Sequence, residues 1–117
     1  MHTNKLGKMG EDYASEYLIT KGYKIIGRNV QVGRGEIDII SKYRGLIVFF
    51  EVKTRKNEDY QDLYDTIGAE KEEALIESCE KYLNVNDLNT ADYRIDLIGI
   101  MIKNSRITKV EHVEGIL

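Results

Sequence analysis

Gly35-Glu36-Ile37-Asp38-Ile39-Ile40 and Leu46-Ile47-Val48-Phe49-Phe50-Glu51-Val52-Lys53 are two apolar runs of strand character that carry charged residues inside them. β-Branched and aromatic residues dominate both runs, and the polar Tyr43-Arg44-Gly45 connection reads as the turn of a β-hairpin. A carboxylate or ammonium within such a run costs free energy unless it is paired, hydrogen-bonded or bound to a metal. Asp38, Glu51 and Lys53 therefore decide how the rest of the chain is read.

Side chains alternate faces along a strand, so Glu51, Lys53 and Arg55 share one side, and Glu36 and Asp38 share a side opposite Ile37 and Ile39. Opposed residues of an antiparallel pair point the same way. An even-length loop then puts Asp38 on the face of Glu51 and Lys53. A two-residue loop at Tyr43-Arg44 makes Glu51 a diagonal neighbour of Asp38, and a four-residue loop sets the two acids directly opposite. An odd loop without a bulge splits them.

Brought together, Asp38 and Glu51 form an oxygen donor set for Mg²⁺ or Mn²⁺, with waters and the Val52 carbonyl as further ligands. Such a cation stabilises charge on a phosphodiester and activates water. Lys53, from the same face, either positions or deprotonates that water or holds a phosphate oxygen. The competing arrangement is a salt-bridged strand pair in which Lys53 only neutralises Glu51. Two acids and one lysine leave a negative charge over, which a metal would balance.

Outward from the hairpin, Leu6, Met9, Tyr13, Ala14, Tyr17 and Leu18 recur at helical spacing over residues 4–21, with Gly22 as the stop. A strand is expected over 23–32, a turn at Gly33-Arg34-Gly35, and a loop from Lys56 to Asp65. A second helix is expected from about Thr66 to Leu83, with Cys79 as a buried thiol on its apolar stripe. Strands near Tyr93–Ile102 and Arg106–Val113 complete an α-β-β-β-α-β-β order. That order predicts a single α/β domain over residues 1–117, a mixed sheet flanked by helices.

The chain has 117 residues and a formal charge of −3, but the charge is segregated. Lys21–Lys56 holds nine basic residues against three acids, whereas Asn57–Asp92 holds two lysines against eleven acids. If these segments face different ways, one surface attracts phosphates while the whole remains acidic. One cysteine allows no internal disulfide, and no apolar stretch approaches the ~20 residues of a membrane span. With no apolar signal core after Met1–Lys5, a cytoplasmic location away from membranes is expected. His2 and His112 are too few and scattered for a zinc site, and Gly33-Arg34-Gly35 lacks the context of a P-loop. Tyr13 and Tyr17 are expected in the core; Tyr43, Tyr60 and Tyr64 are candidates for base stacking only if exposed.

Gly10-Glu11, Gly22-Tyr23, Arg28-Asn29, Gly35-Glu36-Ile37-Asp38, Phe50-Glu51-Val52-Lys53-Thr54-Arg55 and Lys71 together resemble the pattern of the YraN-like bacterial family. That family is assigned to the PD-(D/E)XK nuclease superfamily and is similar to Holliday junction resolvases. The resemblance implies a restriction-endonuclease-like α-β-β-β-α-β core with Asp38, Glu51 and Lys53 as catalytic triplet. It also implies a supporting acid at Glu11 on the first helix, and Glu36, which aligns with the pattern too, is read as a positioning or pairing residue and not a ligand. Arg28, Arg34, Arg55 and Lys71 are the candidate phosphate contacts. Lys71 stands among Glu70, Glu72 and Glu73, and Gln31 stands where the family commonly has a basic residue, so both depart from the pattern. The expected function is a metal-dependent nuclease acting on nucleic acid, DNA favoured and branched forms included, with a homodimer suggested only by analogy to related nucleases. The alternatives are a non-catalytic nucleic-acid-binding or interaction protein of the same fold, or a hydrolase of smaller phosphate esters.

Overall fold

The computed structural model describes residues 5–56, 69–89 and 91–117. Of the loop expected from Lys56 to Asp65 only Lys56 is among these residues, and it ends a strand instead; Tyr60, Tyr64 and the second helix's expected start near Thr66 lie outside them. The elements run α1 (Lys5–Thr20), β1 (Lys24–Val32), β2 (Gly35–Tyr43), β3 (Leu46–Lys56), α2 (Ala69–Val85), β4 (Tyr93–Lys103) and β5 (Arg106–Val113). This is the α-β-β-β-α-β-β order expected from the sequence.

The strands form one five-stranded sheet in the order β1-β2-β3-β4-β5. Only β3 and β4 pair in parallel; the other neighbours are antiparallel. The parallel step requires a crossover, and α2 lies between those strands in the chain. Each of the three antiparallel connections is a two-residue turn: Gly33-Arg34, Arg44-Gly45 and Asn104-Ser105. Arg44 and Gly45 both have positive φ, as do Asn104 and Ser105, which suits hairpin turns whose twist matches the strands.

Both helices end alike. Tyr23 N–H bonds to the Leu18 carbonyl and Gly22 N–H to Ile19, while Leu88 N–H bonds to Leu83 and Asp87 N–H to Asn84. Gly22 and Asp87 take the left-handed position that closes such a helix end. The second helix therefore runs two residues beyond the expected Leu83.

α1 covers one sheet face and α2 the other. Ala14 and Leu18 pack with Ile39, Phe50, Val52 and Ile98 on the first face. Leu75 and Cys79 pack with Ile37, Ile40, Phe49 and Ile95 on the second. Tyr13 corrects the expected apolar stripe: it is 42% exposed, and Tyr17 is only partly buried. α1 instead buries Gly10, Glu11, Ala14, Ser15 and Leu18, mostly small residues that let the helix lie close on the sheet.

One polar cluster inside the fold was not foreseen. Asp96 is fully buried and accepts hydrogen bonds from Arg94 at 2.8 and 2.9 Å and from the Gly115 N–H at 2.9 Å, with His112 Nε2 2.7 Å away. Arg94 also donates to the Tyr23 hydroxyl at 3.0 Å. Burial pushes the Asp96 carboxyl up, but His112, Arg94 and Gly115 together hold it below the usual carboxylate range. The cluster ties the end of α1 to β4, β5 and the C-terminal residues.

Candidate functional site

The hairpin register meets the geometric condition for a shared site. β2 and β3 pair from Tyr43↔Leu46 through Lys42↔Ile47 to Ile39↔Phe50. This two-residue turn lies at Arg44-Gly45, one position along from Tyr43-Arg44, so its register is the one expected of a four-residue loop. One further step sets Asp38 against Glu51.

The ladder ends at that step. Asp38 Oδ2 accepts the Val52 N–H at 2.8 Å, so a side chain takes the backbone donor where β2 and β3 part. Strict alternation breaks at the same place: Ile39 packs on the α1 face, whereas Ile37, two residues earlier, packs on the α2 face. On β1, Asn29, whose neighbours pair with Ile37 and Ile39, has a positive φ of 52°. The divergence leaves Asp38 buried but beside Glu51.

Glu51 and Lys53 are 13% and 14% exposed at their side chains, with Oε1 and Nζ 3.8 Å apart. Burial is the main reason that the Glu51 carboxyl is pushed up to about 7, and the Asp38 carboxylate adds to it; Lys53 and Lys71 pull the other way. Burial also lowers Lys53 to about 8, helped by Lys71 and opposed by Glu51. Two carboxyls are thus pressed together against two ammonium groups. This is the kind of electrostatic tension found at sites that bind or react.

The hard-oxygen donors Asp38 and Glu51 suit Mg²⁺ or Mn²⁺, and their mutual repulsion is what a cation relieves. Among the described residues no group of three or more His, Cys, Asp and Glu side chains is arranged to hold a metal. Backbone carbonyl and water would have to complete the shell, as expected for Val52.

Two small cavities adjoin the pair. One of about 150 Å³ is lined by Gly35, Glu36, Glu51, Lys71 and Ser78. The other, about 190 Å³, is lined by Glu11, Val52, Lys53 and Arg55 on the α1 side. Lys71 thus reaches the site from a helix rich in acids, and Glu11 reaches Lys53 and Val52 from α1. Close helix approach makes this possible: a Cβ on Gly10 would collide with Thr54 Oγ1, and one on Gly35 with Ser78 Oγ.

The remaining candidates separate. Arg28 pairs with Asp12 at 2.7 Å and lies 3.8 Å from Glu11, tying β1 to α1. Arg34 lines a neighbouring cavity of about 430 Å³ with Ser78 and Lys81, which were not singled out. Arg55 donates to the Thr54 carbonyl at 3.1 Å. Glu36 accepts from Gln31 at 3.4 Å. Tyr43 stacks on Tyr23 at 4.0 Å between ring centroids, which commits it to the fold. Cys79 is buried and its thiol is pushed up to about 12 by burial, the state of an inert structural cysteine.

Comparison with known proteins places these residues in a group. The model of "Uncharacterised protein family UPF0102" matches residues 10–100. A UPF0102 protein of Chloroherpeton thalassium is 38% identical over 107 residues, covering 91% of this chain and 83% of the relative. One of Carboxydothermus hydrogenoformans is 35% identical over 117 residues, covering 100% and 98%. Among solved structures, a repair endonuclease from Pyrococcus abyssi is similar with 13% identity and a TM-score of 0.42, over 90% of this chain and 41% of that one. SfsA of Pyrococcus furiosus in complex with Ca²⁺ is similar with 14% identity and a TM-score of 0.35, over 93% and 62%. No described helix is long and apolar enough to cross a membrane.

Proposed function

This chain belongs to the UPF0102 family, and we propose that it is a divalent-metal-dependent nuclease that hydrolyses phosphodiester bonds, DNA being the favoured substrate. The observation that carries this reading is the convergence of buried Asp38 and half-buried Glu51 and Lys53, with exposed Lys71 beside them, where β2 and β3 part. A structural salt bridge needs one acid and one base. This arrangement gathers two of each beside open space, which is costly unless it is used.

Asp38 and Glu51 hold the cation, with the Val52 carbonyl alongside. When bound, Mg²⁺ or Mn²⁺ neutralises charge on the phosphate and lowers the pKa of water. Lys53, brought down to about 8, is charged enough at neutral pH to hold a phosphate oxygen and close enough to neutrality to exchange a proton with water. Lys71 and Arg55 stand beside the pair as phosphate contacts. Glu11 acts from α1, setting Lys53 and Val52 in place. The lone buried cysteine suits a protein working in the reducing cytosol.

The test is cleavage of supercoiled plasmid and of branched DNA by the purified protein with Mn²⁺ or Mg²⁺. Wild type nicks the DNA, EDTA stops it, and Lys53→Ala lowers the rate at least a hundredfold. Equal rates in wild type and variant reject the assignment. Salt-dependent binding with no cleavage points instead to a non-catalytic nucleic-acid-binding protein.

A further inference from the structure

A cleft adjoining α1 lies away from the acid pair, at the end of the sheet where β3 finishes and β4 turns into β5. It measures about 590 Å³, and its walls carry Lys5, Lys56 and Lys103 over a floor of Leu6, Met9 and Ile102. Among the described residues lining it, none is acidic. The three lysines come from α1, β3 and β4, far apart in sequence. The parallel register brings two together by setting Lys56 against Ile102, the neighbour of Lys103. All three are exposed.

The cleft adjoins the cavity on the α1 side of the candidate site. Leu6 lines both it and the smaller cavity of Glu11, Lys53 and Arg55. Along β3, Lys56 is three residues beyond Lys53, about 10 Å at strand rise. Lys56 lies on the opposite face of β3 from Lys53 and Arg55, so a chain of phosphates passing from one to the other crosses the strand's edge beyond its pairing with β2, which ends at Phe50.

We propose that this cleft binds the single-stranded segment of nucleic acid next to the bond being cut. Three ammonium groups around a pocket call for a polyanion. The apolar floor calls for a flat unpaired base, since in a duplex the base faces are stacked on one another. Phosphates on cations with bases on an apolar platform is how single strands are held without regard to sequence. Met9 gives the floor an adaptable surface. The inference rests on the nuclease reading only for its orientation toward Lys53, not for its chemistry.

The experiment is fluorescence anisotropy in EDTA, where nothing is cut, with a labelled twelve-nucleotide dT oligomer and a duplex of the same length at several salt concentrations. Wild type binds the single strand more tightly than the duplex. Lys5→Ala/Lys56→Ala/Lys103→Ala weakens single-strand binding at least tenfold and reduces the steepness of its salt dependence by about 2, at roughly 0.7 per phosphate contact. The triple Lys→Arg variant keeps both affinity and slope, and an unchanged melting temperature shows that the alanine variant is folded. Unaltered affinity and slope overturn the proposal, as does an equal loss on duplex or a failure of wild type to bind either oligomer. Cleft-dependent binding without Mn²⁺-dependent cleavage leaves the cleft standing and the nuclease reading fallen. Cleavage untouched by the triple alanine variant, with binding also unchanged, does the reverse.

Discussion

The Asp38 carboxylate accepts the backbone N–H of Val52 at 2.8 Å, inside the protein and at the point where β2 and β3 stop pairing. One residue thus closes the strand ladder and places its charge against Glu51. Asp38→Asn keeps an acceptor oxygen and is expected to fold. Asp38→Ala leaves the buried Val52 donor without that partner and costs about 1–3 kcal/mol. Both variants lose metal-dependent cleavage, so chemical denaturation tells them apart where activity does not. Equal stability of the two contradicts the structural half of this role.

Glu51 makes stability pH-dependent with a defined sign. Its carboxyl is raised from an ordinary 4.5 to about 7, chiefly by burial. The folded protein keeps a proton that the unfolded chain sheds, so this stabilisation is full below about pH 4.5 and is lost as pH rises to about 7. The loss is at most about 3 kcal/mol. Lys53, lowered to about 8, contributes nothing to this window and adds stability only as pH rises above 8. Urea unfolding at pH 5 and pH 7.5 is expected to show the drop in wild type and a flatter profile in Glu51→Gln. A drop of the same size in the variant assigns the slope elsewhere.

Gly10 holds α1 against β3. A methyl group there meets Thr54 Oγ1, with Thr54 Cβ at 3.1 Å and Cγ2 at 3.2 Å behind it. Gly10→Ala is expected to cost about 1–3 kcal/mol and to reduce cleavage, because Glu11 moves with the helix. Thr54→Ala removes most of the obstruction and should recover part of both in the double variant. Strictly additive effects in that double-mutant cycle contradict the contact.

Asp96 is expected to matter for stability and not for chemistry. Asp96→Ala takes the buried acceptor from Arg94, His112 and the Gly115 N–H, leaving Arg94 only Glu114 and Tyr23, and should cost about 1–3 kcal/mol. Because the Asp96 carboxyl is held below its ordinary value of 3.8, its contribution is present above that value and is lost as pH falls further. Asp96→Asn should therefore remove part of the acid-induced unfolding seen in wild type. A variant as stable as wild type at pH 7 overturns this.

The parts of the molecule readable from sequence were those governed by local periodicity. Alternation, turn residues and helical spacing give all seven elements of the described residues and put Asp38, Glu51 and Lys53 in neighbouring strands. The exact register was not readable, because a tight turn at Arg44-Gly45 and one at Tyr43-Arg44 use the same residues. Tyr13 misled because apolar character counts in its favour, whereas close packing on the sheet selects Gly10, Ala14 and Ser15. Asp96 was hidden for a different reason. Its partners Arg94, His112, Tyr23 and Gly115 are scattered through the chain and are joined only by β4–β5 pairing and the end of α1. The lysines of the large cleft share that obscurity, since only the parallel β3–β4 step brings Lys56 near Lys103.

The most direct measurement is anomalous diffraction from crystals soaked in Mn²⁺. A peak within bonding distance of Asp38 and Glu51, with Lys53 close by but not ligating, is the predicted result. No peak there at saturating Mn²⁺, with the Lys53 ammonium seated between the two carboxylates, contradicts the account.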